Sequence, residues 1–145
     1  MLPRAIDIGG PWEVLPPGVH DATMKEIKTR YASNPHRSLL FEGLVAAIAA
    51  LRAAGCKDIY LDGSFVTEKP FPGDFDGCWD PTSVDDKKLD PVLLDFANKR
   101  ANQKKKYRGE FFLASGPAAP GYTFLSYFQK DKDTGKPKGI IHVIN

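Results

Sequence analysis

Apolar residues recur along the chain in two different periods. Leu40, Leu44, Ile48 and Leu51 fall three or four residues apart, the spacing that lines one face of a helix. Asn34-Pro35 supplies a cap and a first-turn proline for that helix, and Gly55 ends it, so a helix over residues 34–54 is predicted. Ile59-Tyr60-Leu61 then predicts a short strand. Upstream, Asp21 is expected to cap a short helix running to Tyr31, with Glu26 in its early turns. Residues 1–19 contain Gly9-Gly10-Pro11 and Pro16-Pro17-Gly18, which break regular structure, while Trp12, Val14 and Leu15 pin this arm to the domain surface.

Beyond residue 80 the pattern is less regular. Asp90-Pro91 predicts a cap and first turn, with a helix continuing through Val92, Leu93, Phe96 and Ala97 and along a basic stretch to Tyr107. Glu110-Phe111-Phe112-Leu113 predicts a strand, and residues 116–121 a proline-stiffened loop. Thr123 to Gln129 is expected to make one or two helical turns, carrying Phe124 and Tyr127 or Phe128 inward. Residues 131–137 read as a charged turn, and Ile140-Ile141-His142-Val143-Ile144 as a final strand. The expected fold is α/β (α+β): a single domain over residues 21–145, with a small mixed sheet flanked by helices, preceded by an N-terminal arm over residues 1–20 that packs on it.

Composition adds bounds to this reading. A chain of 145 residues is one ordinary domain, large enough to fold without a disulfide or structural metal. Cys56 and Cys78 form no metal-spaced cluster, and both fall in or beside core elements. A net charge of +2 gives no general preference for nucleic acid. Met1-Leu2-Pro3-Arg4 leads into a Gly/Pro-rich segment rather than a secretory signal, and the apolar run over residues 44–51 is too short to span a bilayer. A cytoplasmic location with no membrane partner is the expectation.

The candidate chemistry lies between the second helix and residue 80. Asp74 and Asp76 alternate in an Asp-x-Asp strand, so both carboxylates point to one face. Like charges held that close call for a cation or a proton, and a hard, oxygen-seeking ion such as Mg²⁺ suits them. Gly63-Ser64, just upstream, offers backbone N–H groups and a hydroxyl to an anion. The plainer alternatives are two solvated aspartates on a surface strand and a tight turn that Gly and Ser also favour. Lys69 is a candidate phosphate contact, set against its reading as a solvated loop lysine. The run Lys99-Arg100, Lys104-Lys105-Lys106-Tyr107-Arg108 is either a surface for RNA phosphates or an acidic partner, or a solvated helix face. His20, His36 and His142 are scattered and form no ligand set.

A strand, Gly63-Ser64, an excursion from Phe65 to Gly73, then Asp74-Phe75-Asp76: this order resembles the minimal nucleotidyltransferases of the DNA polymerase beta type. Ile59-Tyr60-Leu61-Asp62-Gly63-Ser64-Phe65-Val66-Thr67 and Gly73-Asp74-Phe75-Asp76-Gly77-Cys78-Trp79-Asp80 are also similar to a family of small bacterial proteins placed in that superfamily. Similarity to the small family runs along most of the chain, including Leu15-Pro16-Pro17-Gly18-Val19-His20, whereas the wider match covers about positions 59 to 80.

The resemblance implies a nucleotidyltransferase-like domain that moves NMP from Mg·NTP to an RNA, protein or small-molecule acceptor. It implies Mg²⁺, with two ions possible, on Asp74 and Asp76, and nucleotide phosphates on Gly63 and Ser64. It also implies a third catalytic carboxylate from a neighbouring strand, for which Glu110 is the first choice and Asp80 and Asp95 the others. Small members often look like parts of toxin–antitoxin or phage-defence modules, which implies a cognate partner protein. The chain departs from the wider pattern at Glu68 and Gly73, where a small residue and a serine are usual, and Pro70 and Pro72 stiffen the loop. These departures keep a second class open, a catalytically inactive binding module on the same fold.

Overall fold

In the computed structural model, which describes residues 1–145, the chain forms seven strands and four α-helices. They run in the order β1 (Gly18–Thr23), α1 (Met24–Tyr31), α2 (Pro35–Ala53), β2 (Ile59–Asp62), β3 (Phe75–Trp79), α3 (Ala97–Tyr107), β4 (Gly109–Leu113), β5 (Pro117–Ala119), β6 (Tyr122–Thr123), α4 (Phe124–Tyr127) and β7 (Gly139–Ile144). Five strands make a mixed sheet in the order β1-β7-β2-β3-β4, and β5 and β6 form a separate ribbon. β1 and β7 are parallel, as are β3 and β4, while β2 runs antiparallel to both β7 and β3. This is a mixed α+β architecture with one five-stranded sheet, one small ribbon and one core.

Period-2 alternation divides the sheet into two unlike faces. Leu61, Phe75, Trp79, Phe111, Ile141 and Val143 point to one side and share a single apolar cluster with Leu40, Leu44, Ile48 and Leu51 of α2. The helical stripe read from the sequence is therefore the layer that covers this face. Asn34 caps α2 by accepting from the Arg37 N–H at 2.8 Å, with Pro35 in the first turn. On the other side, β2, β3 and β4 carry Asp62, Asp76 and Glu110.

Several boundaries differ from expectation. Asp21 does not cap a helix: residues 18–23 are strand β1, and Asp21 accepts a hydrogen bond from His142 Nδ1 at 2.9 Å. The cap of α1 is Thr23, whose hydroxyl and the Glu26 carboxylate form a reciprocal capping box. The sheet thus begins at Gly18, inside the arm expected over residues 1–20. The expected helix from Asp90 is two pieces, a 3₁₀ turn over Pro91–Leu94 and α3. The break has a local cause: the extended Asp95 accepts from the Ala97 N–H, and Asn98, Lys99 and Arg100 adopt left-handed backbone. Residues 116–121, expected as loop, contribute β5 to the small ribbon. Beyond it, Phe124 of α4 stacks on Phe112 at 4.3 Å between ring centroids, and Phe128 packs beside them, while Tyr127 stays exposed.

No helix is long and apolar enough to cross a membrane.

Candidate metal and nucleotide site

Sheet register assembles the acids. Asp62 on β2 pairs with Asp76 on β3, and Asp76 pairs with Glu110 on β4, so three carboxylates form a row across adjacent strands. Asp74 lies two residues before Asp76 and points to the same face. One ligand oxygen from each of Asp74, Asp76 and Glu110 comes within 4.8 Å of the others, close enough for one cation to reach all three. Of the three carboxylates weighed as a third acid, the fold brings Glu110 to the pair. Asp80 instead closes a turn on Thr82, and Asp95 bonds Asn102 and the Ala97 N–H.

The electrostatics of this row are unsatisfied. Burial, then the neighbouring Asp76 charge, pushes the Asp62 carboxyl well above the ordinary carboxylate range. Asp62 is 1% exposed, and neither of its carboxylate oxygens has a hydrogen-bond partner. Burial raises Asp76 to about 8, with the charges of Asp74 and Glu110 acting in the same direction. Asp74 is raised by burial and by Glu110. Glu110 moves the other way: burial opposes its charge, but hydrogen bonds from Arg100, Asp76 and Lys104 outweigh it. Its Oε2 takes both cations, Arg100 Nε at 2.8 Å and Lys104 Nζ at 3.3 Å. An orphaned, fully buried carboxylate beside a converging trio fits a hard cation, which would supply the missing positive charge.

Gly63 is glycine for a steric reason. Its φ is +74°, and a Cβ there would collide with Oδ2 of Asp76. The Gly-Ser turn is therefore pressed against the acid row, and Ser64 opens a 3₁₀ turn over Ser64–Val66. Ser64, Lys69, Asp74 and Asp76 line one cleft of about 270 Å³. The same cleft receives Trp12 from the N-terminal arm and Lys132 and Lys138 from the turn before β7. Lys69, Lys132 and Lys138 stand apart from the protein's ion pairs, in which Lys and Arg partners are Arg30, Arg100, Lys104 and Lys106. A second cleft of about 350 Å³ shares Gly73 and Asp74 with the first and is lined by His36, Lys104 and Arg108.

The residues between Ser64 and Asp74 are held by α2. Arg37 is buried, and its guanidinium donates to the carbonyls of Tyr31, Phe65, Thr67 and Lys69 at 2.5–3.1 Å. Asn34 Nδ2 donates to the Pro70 carbonyl at 2.8 Å, and His36 Nε2 to that of Pro72 at 2.5 Å. The cap and two first-turn residues of one helix thus hold the excursion at five backbone carbonyls, those of Phe65, Thr67, Lys69, Pro70 and Pro72. Half of the basic run is spent on internal partners: Arg100 and Lys104 on Glu110, Lys106 on Asp90. Gln103, on the same helix, is buried and bonds both backbone groups of Phe111. Cys78, next on the acid face after Asp76, is fully buried, which pushes its thiol up and leaves no thiolate nucleophile.

Sequence reasoning missed Asp62 and Arg37. The alternation of Leu61 inward and Asp62 outward carried the signal for the first, since Asp62 continues the polar face. No pattern marks Arg37, because an arginine in a first helical turn ordinarily reads as solvated. Lys132 and Lys138 had no distinguishing signal either.

Residues 11–144 match the model of a family described as "Family of unknown function (DUF6932)". The chain belongs to this family. Comparison with the curated proteins and with the solved structures returned no match. The match takes in nearly the whole domain, from the arm that carries Trp12 to the last strand, so the acid row, the second cleft and all of the first cleft's lining but Gly10 lie within the family's extent.

Proposed function

We propose that this protein is a metal-dependent nucleotidyltransferase, moving NMP from Mg·NTP onto an acceptor hydroxyl. The observation that carries the reading is the convergence of Asp74, Asp76 and Glu110 within 4.8 Å at a cleft that also holds Ser64 and unpaired lysines. The motif resemblance to minimal nucleotidyltransferases supports the same assignment.

Asp74, Asp76 and Glu110 would hold the cation, with Asp62 buried behind Asp76. A bound divalent ion would neutralise the row, polarise the α-phosphate and favour loss of pyrophosphate. Gly63 and Ser64 orient the triphosphate against the acids, and Lys69, Lys132 and Lys138 offset its charge. The acceptor enters from the second cleft, where His36, Lys104 and Arg108 receive an anionic group beside Asp74. Its hydroxyl oxygen bonds to the α-phosphorus as the bond to the β-phosphate oxygen breaks. The hydroxyl proton passes to a carboxylate oxygen of the cluster, and pyrophosphate leaves.

The test is incubation of purified protein with α-labelled NTP and Mg²⁺, using RNA, a protein lysate and the protein itself as acceptors. Label transfer that disappears with Asp76→Asn is expected. Transfer that persists in this variant would remove Asp76 from the mechanism.

One observation favours a second reading, a non-catalytic nucleotide-binding module that docks a partner. Glu110 is already held by Arg100 and Lys104, which compete with a cation for it. On this reading Mg·NTP binds by calorimetry and no acceptor is labelled.

A further inference from the structure

The arm that precedes the sheet is built as a strap. Ile6 and Val14 exchange backbone hydrogen bonds at 2.8 and 2.9 Å, closing a hairpin whose tip carries Gly9, Gly10, Pro11 and Trp12. Its returning limb is tied to the clamped excursion, with Val14 bridged to Thr67 and the Glu68 N–H donating to the Glu13 carbonyl at 3.0 Å. The buried Val14 and Leu15 fix it to the domain. On its other side the tip meets the turn before β7: a Cβ on Gly10 would lie 3.4 Å from Thr134 Cγ2 and 3.6 Å from Asp131 Oδ2. That turn carries Lys132 and Lys138, so strap, excursion and turn are three walls of one cleft, with Asp74 and Asp76 in the fourth.

Within this polar cleft Trp12 is out of place as packing. It is 40% exposed, although the chain has an apolar core that takes its other tryptophan, Trp79, to 1%. Its companions are the hydroxyls of Ser64 and Thr67, lysines and carboxylates, and beside it only Pro11 and Val14 are apolar side chains in the lining. An exposed indole on an anchored strap shares this cleft with Lys69, Lys132 and Lys138 and with the acids, and with a cation on the acids the two halves of a nucleotide site are present: a flat π-surface and a phosphate end.

We propose that Trp12 is the base-stacking platform of the cleft, so that the ligand is a nucleoside triphosphate held by its base on the N-terminal strap and by its phosphates on Ser64, Lys69, Lys132 and Lys138. This rests on the nucleotide reading above and adds to it the residue that distinguishes a nucleotide from bare triphosphate. Stacking is tolerant of base identity, and its strength grows with ring area, so purine nucleotides bind more tightly than pyrimidine nucleotides.

The experiment compares Mg·ATP, Mg·CTP and inorganic magnesium tripolyphosphate on the full chain, by calorimetry and by ¹⁹F NMR of protein containing 5-fluorotryptophan. The two tryptophans give two resonances, assigned with Trp12→Tyr, and the Trp79 signal is the internal control. Nucleotides are expected to shift the Trp12 resonance and leave that of Trp79 in place, whereas tripolyphosphate binds without moving either. Trp12→Ala should weaken Mg·ATP by about 5- to 140-fold, the ~1–3 kcal/mol of one base stack, leave tripolyphosphate unaffected, and be rescued by Trp12→Tyr. Nucleotide binding with a stationary Trp12 resonance, or an equal loss of both ligands in Trp12→Ala, overturns the proposal while leaving the nucleotide site standing. If neither ATP nor tripolyphosphate binds, the nucleotide reading fails and the platform fails with it.

Discussion

The two faces of the central sheet come from the same strands and alternate residue by residue, yet they are stabilised in opposite ways. Phe75, Trp79 and Phe111 are buried in an apolar cluster that is complete within the chain. One position away, Asp62, Asp76 and Glu110 form a row whose charges the chain does not fully balance. Burial that stabilises the first face raises the carboxyl groups of Asp62 and Asp76 on the second. Packing is finished on one side, and on the other the Asp62 carboxylate has no hydrogen-bond partner. An unsatisfied row of this kind is what a site for a cation and a polyanion requires, and it makes the site costly to keep empty.

The most severe way to break this comparison is at β3. Phe75→Ala removes a fully buried ring from the helix-covered face and should destabilise the protein by about 3–5 kcal/mol in chemical denaturation. Its neighbour behaves oppositely: Asp76→Asn keeps the shape, relieves charge repulsion, and should raise stability above neutral pH while abolishing cation binding. If both substitutions destabilise alike, the acid face is ordinary packing and carries no site.

The next largest effect concerns the clamp. Arg37 has no carboxylate partner and serves four backbone carbonyls; in Arg37→Met local opening of the excursion hydrates most of those acceptors, so the net loss should be about 1–3 kcal/mol. The loss should fall on the excursion between Ser64 and Asp74. Hydrogen exchange should accelerate at Phe65 to Lys69 before it does in the β1–β7 pair, and a uniform increase would show that Arg37 supports the whole fold.

A pH titration probes the acid face directly. The folded pKa of Asp76 is raised from the ordinary 3.8 to about 8, and Asp62 moves in the same direction. A raised folded value means that the stabilising contribution is complete below the unfolded pKa and is lost as pH rises through the folded one. Protein in EDTA should therefore lose thermal stability between about pH 4 and about pH 8, and Mn²⁺ or Mg²⁺ should restore it most at the alkaline end, where the carboxylates are charged. Asp76→Asn should flatten the profile. A flat profile in the unchanged protein would mean that the row is already neutralised from within.

Legibility in the sequence followed the range of the interactions. The α2 stripe and its Asn34-Pro35 start are local patterns and are present as read, while of the Asp74-x-Asp76 pair the strand takes in Asp76 and Asp74 stands one residue before it. Glu110 was reachable because it opens an apolar strand, but its place beside Asp76 depends on β3 and β4 being parallel neighbours, which no local pattern states. Asp21 was misread because its partner, His142, lies far along the chain, and that contact holds residue 21 in a strand instead of at a cap. Arg37 and Asp62 illustrate the same limit: one is buried by carbonyls that arrive from elsewhere, the other by strand pairing. Trp12 was legible as an anchor of the arm, and only the cleft shows that it shares a lining with Asp74 and Asp76.

The smallest expected change in stability bears most closely on the proposed cation site. Arg100 and Lys104 both contact Oε2 of Glu110, neither pairs with Oε1, and Arg100 also lies over the Phe112 ring at 4.6 Å. A guanidinium fixed on one carboxylate oxygen orients the other, as outer-shell partners of metal ligands do. Arg100 is a quarter exposed, so Arg100→Ala should alter stability by less than about 1 kcal/mol. Its effect on cation binding should be larger, about a tenfold loss of Mn²⁺ affinity, at the lower end for outer-shell substitutions. Lysine restores the charge without the planar fork, so Arg100→Lys should recover little of that affinity. A rise in Mn²⁺ affinity on losing Arg100 would give the opposite conclusion: the ion pair competes with the metal for Glu110, and the non-catalytic reading becomes the better account of the same fold.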